Sequence, residues 1–147
     1  MTPNLRAVGL VLLCAINISL ALLVIQRNRH SPINRLFCLS VFAIVGWIAT
    51  ISLSLNSTDT SQTLLLGRFA FAFASVIPFG LLSMFQAFET SSSKLGRPSA
   101  KIAAFFCCAL VAASLGPWVI HDAVTGNDRP NFIYGPLHPF FAAYFVI

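Results

Sequence analysis

Residues 7–25 read AVGLVLLCAINISLALLVI, nineteen positions without a charge. At about 1.5 Å rise per residue, a helix of this length covers a hydrocarbon core of about 30 Å. Lipid offers no partner to an unpaired amide, so a spanning chain has almost no option but a helical bundle. Comparable runs follow at 36–55, 64–88 and 102–120, with Arg68 the one charge among them. The expected fold class is therefore all-α, a polytopic transmembrane helical bundle. A fifth apolar run, 137–147, stops after eleven residues, short of a span and without a closing polar flank. The chain is expected to form four complete spans plus the start of a fifth, as one membrane domain over 1–147.

Composition agrees, with 57% hydrophobic and 9% charged residues, against about 25% charged in an average soluble domain. The longest connection, 121–136, has sixteen residues, which leaves no room for a soluble domain. The partner implied by this composition is the lipid bilayer. A net charge of +5 on a soluble protein would suggest nucleic acid; here its distribution carries a different message, and no nucleic-acid partner is expected. Arg27, Arg29 and Arg35 lie between the first two runs, and Lys94, Arg97 and Lys101 between the third and fourth, six of the nine basic residues in two alternate loops. The other connections hold Asp59, or Asp122 and Asp128 with Arg129. The positive-inside bias places both basic loops in the cytoplasm and the amino terminus outside, with Arg6 the one dissenting charge. A multi-pass location in an inner (plasma) membrane is expected. The first run exceeds a signal-peptide core of about 7 to 15 residues. Gln26-Arg27-Asn28-Arg29 follows it with no small-residue cleavage site, so it reads as a retained helix.

Four cysteines, Cys14, Cys38, Cys107 and Cys108, all fall inside apolar runs and lack any metal-site spacing. They read as small apolar packing groups. Cys107 and Cys108 point about 100° apart on a helix, a poor geometry for a disulfide. Phe69 and Phe73 share one helical face, while Ala70 and Ala74, like Ala109 and Ala113, form small-xxx-small pairs suited to close helix approach. Pro78 near the middle of the third run removes a backbone hydrogen bond and predicts a kink, a candidate pivot for signalling. Gly116-Pro117-Trp118 reads as a helix stop with an interfacial aromatic.

Polar groups at membrane depth are the natural functional candidates, and Asn17, Arg68 and Gln86 supply them. Arg68, one turn into its run, is read either as snorkelling to the surface or as meeting an anionic ligand in an outer pocket. No relay of buried acids, lysines and histidines of the kind used by proton-coupled pumps is present. His121, Asp122 and His138 form a weak pattern for a metal and read more simply as interfacial residues in a turn-rich outer loop. No phosphate-binding loop, nucleophile elbow or HExxH motif occurs. No catalytic residue, metal or cofactor is assigned.

Several anchors occur in a familiar order: His30-Ser31-Pro32-Ile33-Asn34-Arg35-Leu36-Phe37 opening the second span, Trp47 within it, Pro78 and Phe85 in the third, and Tyr134-Gly135-Pro136-Leu137 before the fifth. In this order the chain resembles the amino-terminal seven-helix membrane region of bacterial histidine kinases. That resemblance implies two more helices and a cytoplasmic kinase after Ile147, with or without an intervening PAS domain, and a homodimer that phosphorylates a response regulator. The phosphoacceptor histidine and ATP-binding motifs of such kinases do not occur here, so no kinase activity falls to any residue of this chain. A membrane sensor and signal-transducing module is the leading functional expectation, with Arg68, Pro78 and Asn17 as speculative signalling or ligand residues. The alternatives are a fragment of a small transporter, a sensor coupled to a cyclic-dinucleotide enzyme, and a structural membrane subunit.

Overall fold

The computed structural model describes residues 3–89, 98–125 and 130–145. Four helices run in succession, α1 (Pro3–Arg27), α2 (Pro32–Asn56), α3 (Thr60–Glu89) and α4 (Pro98–Leu115). A hairpin of β1 (Ile120–Thr125) and β2 (Pro130–Tyr134) follows, and a short α5 (His138–Tyr144) closes the order. Helix makes up 80% of the structure, so the all-helical membrane bundle stands, with the hairpin as an addition.

Three helices, α1, α2 and α3, are long and apolar enough to cross a membrane. The expected fourth span, 102–120, is shorter than its apolar run: α4 ends at Leu115, and its apolar part is Lys101–Leu115. The reason is local. Gly116 favours leaving the helix and Pro117 cannot donate to it, so residues 116–119 turn and Ile120 begins a strand. The fifth run is helical only over α5 among the described residues. Three helices thus have the length and apolar character of a complete span, and the lengths of α4 and α5 do not confirm a fourth and the start of a fifth.

The anchor that opens α2 is a joint made of hydrogen bonds. Ser31 caps the helix by accepting from the Asn34 amide at 3.4 Å, and Pro32, pre-set for a first helical turn, follows. The Asn34 side chain donates back to the carbonyls of Val24 (2.9 Å) and Asn28 (3.0 Å), while Arg35 Nε donates to the Arg29 carbonyl at 2.9 Å. The bond to Val24 satisfies an acceptor in the last turn of α1, and the other two tie α2 to the connection between the helices. Deeper along the pair, Cys38 Sγ donates to the Ala21 carbonyl at 3.2 Å, within a small core of Ala21, Cys38 and Val41. At the other end of α2, the Asp59 carboxylate accepts from the amides of Ser61 (3.3 Å) and Gln62 (3.2 Å) and starts α3.

Close helix approach relies on small residues, as expected for a bundle without water between its helices. Ala70 and Ala74 are buried, whereas Phe69 and Phe73 lean outward. A side chain on Gly80 would collide with Ser40 Oγ across the α2–α3 contact. The second small pair divides, with Ala113 packed against the core and Ala109 exposed. Cys107 is buried and Cys108 exposed, as their angular offset requires. Hydroxyls in the helices bond the carbonyl one turn back, as in Ser40 to Leu36 (3.0 Å), Thr50 to Gly46 (2.8 Å) and Ser52 to Ile48 (2.7 Å). The outer surface of α1 carries Val8, Val11, Leu12, Ile16, Leu20 and Leu23, all exposed, a surface suited to lipid.

Candidate functional site

The hairpin is where the sequence reading needs most correction. A turn-rich loop was expected over 121–136. Instead β1 and β2 pair antiparallel, from Ile120 opposite Tyr134 to Thr125 opposite Pro130. The register slips between Ile120 and Asp122, a bulge that absorbs His121. Side chains alternate along a regular strand, so residues 120 and 123 would face opposite ways. The bulge restores them to one side, and both Ile120 and Ala123 are buried while His121, Asp122 and Val124 are exposed. Residues 126–129, including Asp128 and Arg129, lie outside the described residues, as do Lys94 and Arg97.

Arg68 projects from α3 to this bulge. Its Nε donates to the Ile120 carbonyl and its Nη2 to the His121 carbonyl, both at 3.4 Å. A bulge leaves backbone groups outside the ladder, and a planar guanidinium with several donors is well suited to collect them. Eight residues beyond Thr60, Arg68 lies about 12 Å along the helix, so the hairpin brings polar backbone down to it. Next to it, Gly67 lets the hairpin approach α3: a Cβ there would stand 2.5 Å from the Phe132 ring.

The Tyr134-Gly135-Pro136-Leu137 anchor closes the hairpin onto the end of α4. Gly135 N–H donates to the Val119 carbonyl and Leu137 N–H to the Trp118 carbonyl, both at 2.9 Å. A Cβ on Gly135 would run into the Trp118 carbonyl oxygen, so this backbone approach admits only glycine. From there α5 enters an aromatic cluster. Tyr134 and His138 stack with ring centres 3.9 Å apart, and Phe71 of α3 meets Phe141 at 4.8 Å. Val119, Ile120, Ala74 and Phe141 form the buried core beneath.

Pro78 lies in α3 about two turns beyond Phe71 of this cluster. It lacks the N–H that would reach the Ala74 carbonyl, and its ring crowds the preceding turn. Next to that defect the Ser75 carbonyl takes two further donors, Tyr144 Oη at 3.2 Å and Cys107 Sγ at 3.6 Å. The proline turn of α3 is thereby linked to both α4 and α5. Asn17, by contrast, bonds the Leu13 carbonyl of its own helix at 2.8 Å. Of the three residues singled out from sequence, Arg68 and Pro78 share α3, and Asn17 stands apart on α1.

An open cleft of about 410 Å³ lies where α2, α3 and α5 meet. Trp47, Phe71, Ile77, His138, Phe141 and Phe145 form most of its wall. Among the described residues, no group of three or more histidines, cysteines or acids gathers to hold a metal; His121 is exposed on β1 and His138 stacks in the aromatic cluster. The arrangement suits packing and binding. The sequence alone did not point to Ser75, Cys107 or Tyr144; the position of Ser75, three residues before Pro78, was the available signal.

No curated protein and no solved structure matches the chain. A family described as the N-terminal 7TM region of histidine kinase matches residues 9–147, a range that takes in the α1–α2 joint, Arg68, Pro78 and the hairpin. With that match spanning nearly its whole length, the chain belongs to the N-terminal seven-transmembrane region of histidine kinases.

Proposed function

We propose that this chain is the sensor and signal-transducing module of a two-component histidine kinase, a single membrane domain over 1–147. A stimulus arriving at its outer face or within the bilayer shifts helix packing and biases a cytoplasmic kinase domain, which in turn addresses a response regulator. The family match across residues 9–147 carries this reading. In the proposed topology α1 to α4 cross the inner membrane and α5 begins a fifth crossing. The amino terminus and the hairpin lie outside, and the loops with Arg27, Arg29 and Arg35 and with Lys94, Arg97 and Lys101 lie in the cytoplasm. Dimerisation is through the complete protein.

The geometry around Pro78 supplies the moving part. Signalling needs two packings separated by only a few kcal/mol. A helix lacking one internal bond, with its loosened turn held by donors from α4 and α5, meets that need. Arg68 serves the same design by fixing the hairpin to α3, so that force on the outer segment reaches the proline turn. Asn17, with its bond closed inside α1, is assigned to helix packing.

The test is Pro78→Ala in the complete kinase, at matched membrane expression, reading autophosphorylation and transfer to its response regulator. The restored backbone bond straightens α3, and output shifts toward one state with a reduced response range. Unchanged basal output together with unchanged range would overturn the pivot.

A further inference from the structure

We infer that the cavity between α2, α3 and α5 is a binding site for a flat, uncharged, ring-containing molecule carrying a carbonyl or hydroxyl group, with room for a bicyclic ring and its substituents. The inference rests on the sensor reading for its consequence, and on the cavity alone for the binding itself.

Size is the first argument. A cavity of about 410 Å³ falls within the range of about 300 to 1,000 Å³ typical of small-molecule sites. The character of the wall is the second. Trp47, Phe71, Phe141 and Phe145 present ring surfaces, with His138 as a fifth ring, while Ala74 and Ala142 add little bulk. An alkyl chain gains only dispersion against such a wall, whereas a planar ring also gains the offset-stacked and edge-to-face geometries that aromatic groups prefer. Phe71, Phe141 and Phe145 already meet one another in tilted pairs, with centres 4.8 and 5.0 Å apart, and a flat ligand extends that arrangement.

Polarity narrows the class further. No acid, lysine or arginine lines the cavity, so a charged ligand would be desolvated without a counter-charge. The hydrogen-bonding side chains of the wall are the His138 imidazole and the Trp47 indole. Among the described residues nothing hydrogen-bonds the imidazole, which is held in place by stacking on Tyr134. It is therefore available to one carbonyl or hydroxyl group on the ligand. The consequence follows from position. Ile77 of the wall directly precedes Pro78, so an occupant bridges α2, the proline turn of α3, and α5 at once. A molecule of this class partitions into the bilayer and reaches the site laterally.

The experiment uses the complete protein in nanodiscs carrying Trp118→Phe, so that within this region Trp47 is the only tryptophan, with menadione as the probe. The result expected is saturable quenching of Trp47. Ala142→Phe, an exposed position on the cavity wall that leaves the fold intact by melting temperature, should raise the apparent Kd about tenfold or more by filling the space. His138→Phe, which keeps a ring against Tyr134, should weaken menadione several-fold while leaving naphthalene unaffected. Quenching that is linear and identical in the Ala142→Phe protein would show partitioning into lipid and overturn the site. Competition by dodecanol equal to that by naphthalene would show an acyl-chain groove and overturn the ring class. The two readings separate cleanly: absent binding with a Pro78-dependent kinase output sinks the ligand site alone, and saturable binding with output indifferent to Pro78→Ala sinks the sensor pivot alone.

Discussion

Arg68 donates from α3 to the carbonyl of His121, 3.4 Å away, at the point where the hairpin register slips by one residue. The bulge turns Ile120 and Ala123 to the same buried side, and the guanidinium donates to the carbonyls of Ile120 and His121 where the ladder is interrupted. One charged side chain of an apolar helix and one irregularity in a strand thus meet at a single point.

Arg68→Ala should loosen the hairpin without disturbing the α1–α2 joint. Hydrogen bonds to charged groups contribute about 1.5 to 3 kcal/mol, and the length of these two places the effect near the lower end. Hydrogen exchange resolved by segment is the measurement: faster exchange over 119–125 and 130–137 with unchanged exchange over 21–45 is expected. Lysine at this position offers one ammonium in place of a fork and should rescue only in part.

Gly135→Ala should be the more damaging glycine substitution. Its new methyl group meets the backbone oxygens of Trp118 and Pro117, whereas on Gly67 it meets the ring of Phe132, a side chain that can turn aside. Overpacking costs about 1 to 3 kcal/mol, with Gly135→Ala toward the top and Gly67→Ala toward the bottom. Melting in detergent, with Trp118 fluorescence as a local probe, ranks the two; the reverse order would contradict the geometry.

Asn34→Ala removes both bonds from α2 to the carbonyls of Val24 and Asn28. A loss of about 1 to 2 kcal/mol is expected, read as faster exchange or proteolysis around residues 24–34. Ser31→Ala, which removes only the cap, should cost about 0.5 to 2 kcal/mol and leave the α1 end protected.

Tyr144→Phe deletes the donor to the Ser75 carbonyl and keeps the ring that meets Phe145. A stability change of about 0.5 to 1.5 kcal/mol is expected. In the complete kinase the same change should alter basal output in the same direction as Pro78→Ala, since both act on one turn of α3.

Topology is open to direct labelling. With the four native cysteines replaced, a cysteine at His30 should resist an impermeant thiol reagent in intact cells, and one at Thr58 should react. The opposite pattern would invert the orientation derived from the loop charges.

Much of this molecule follows from its composition and local order. Apolar runs as long as residues 7–25, 36–55 and 64–88 leave a chain no means of satisfying its backbone in lipid except a helix, so the bundle needed no tertiary information. The same holds for the Gly116-Pro117 stop within the fourth apolar run and for the small face of Ala70 and Ala74. Tertiary structure decided the rest, because the deciding contacts are distant in the chain. Arg68 finds its acceptors 52 and 53 residues away, and Tyr144 reaches Ser75 across 69. The hairpin escaped the sequence reading because β1 begins inside the tail of an apolar run and the bulge at His121 breaks its alternation. Pattern along the chain reports which face of an element is apolar. Which carbonyl a guanidinium meets, and which rings close a cavity, is set only when separate elements pack.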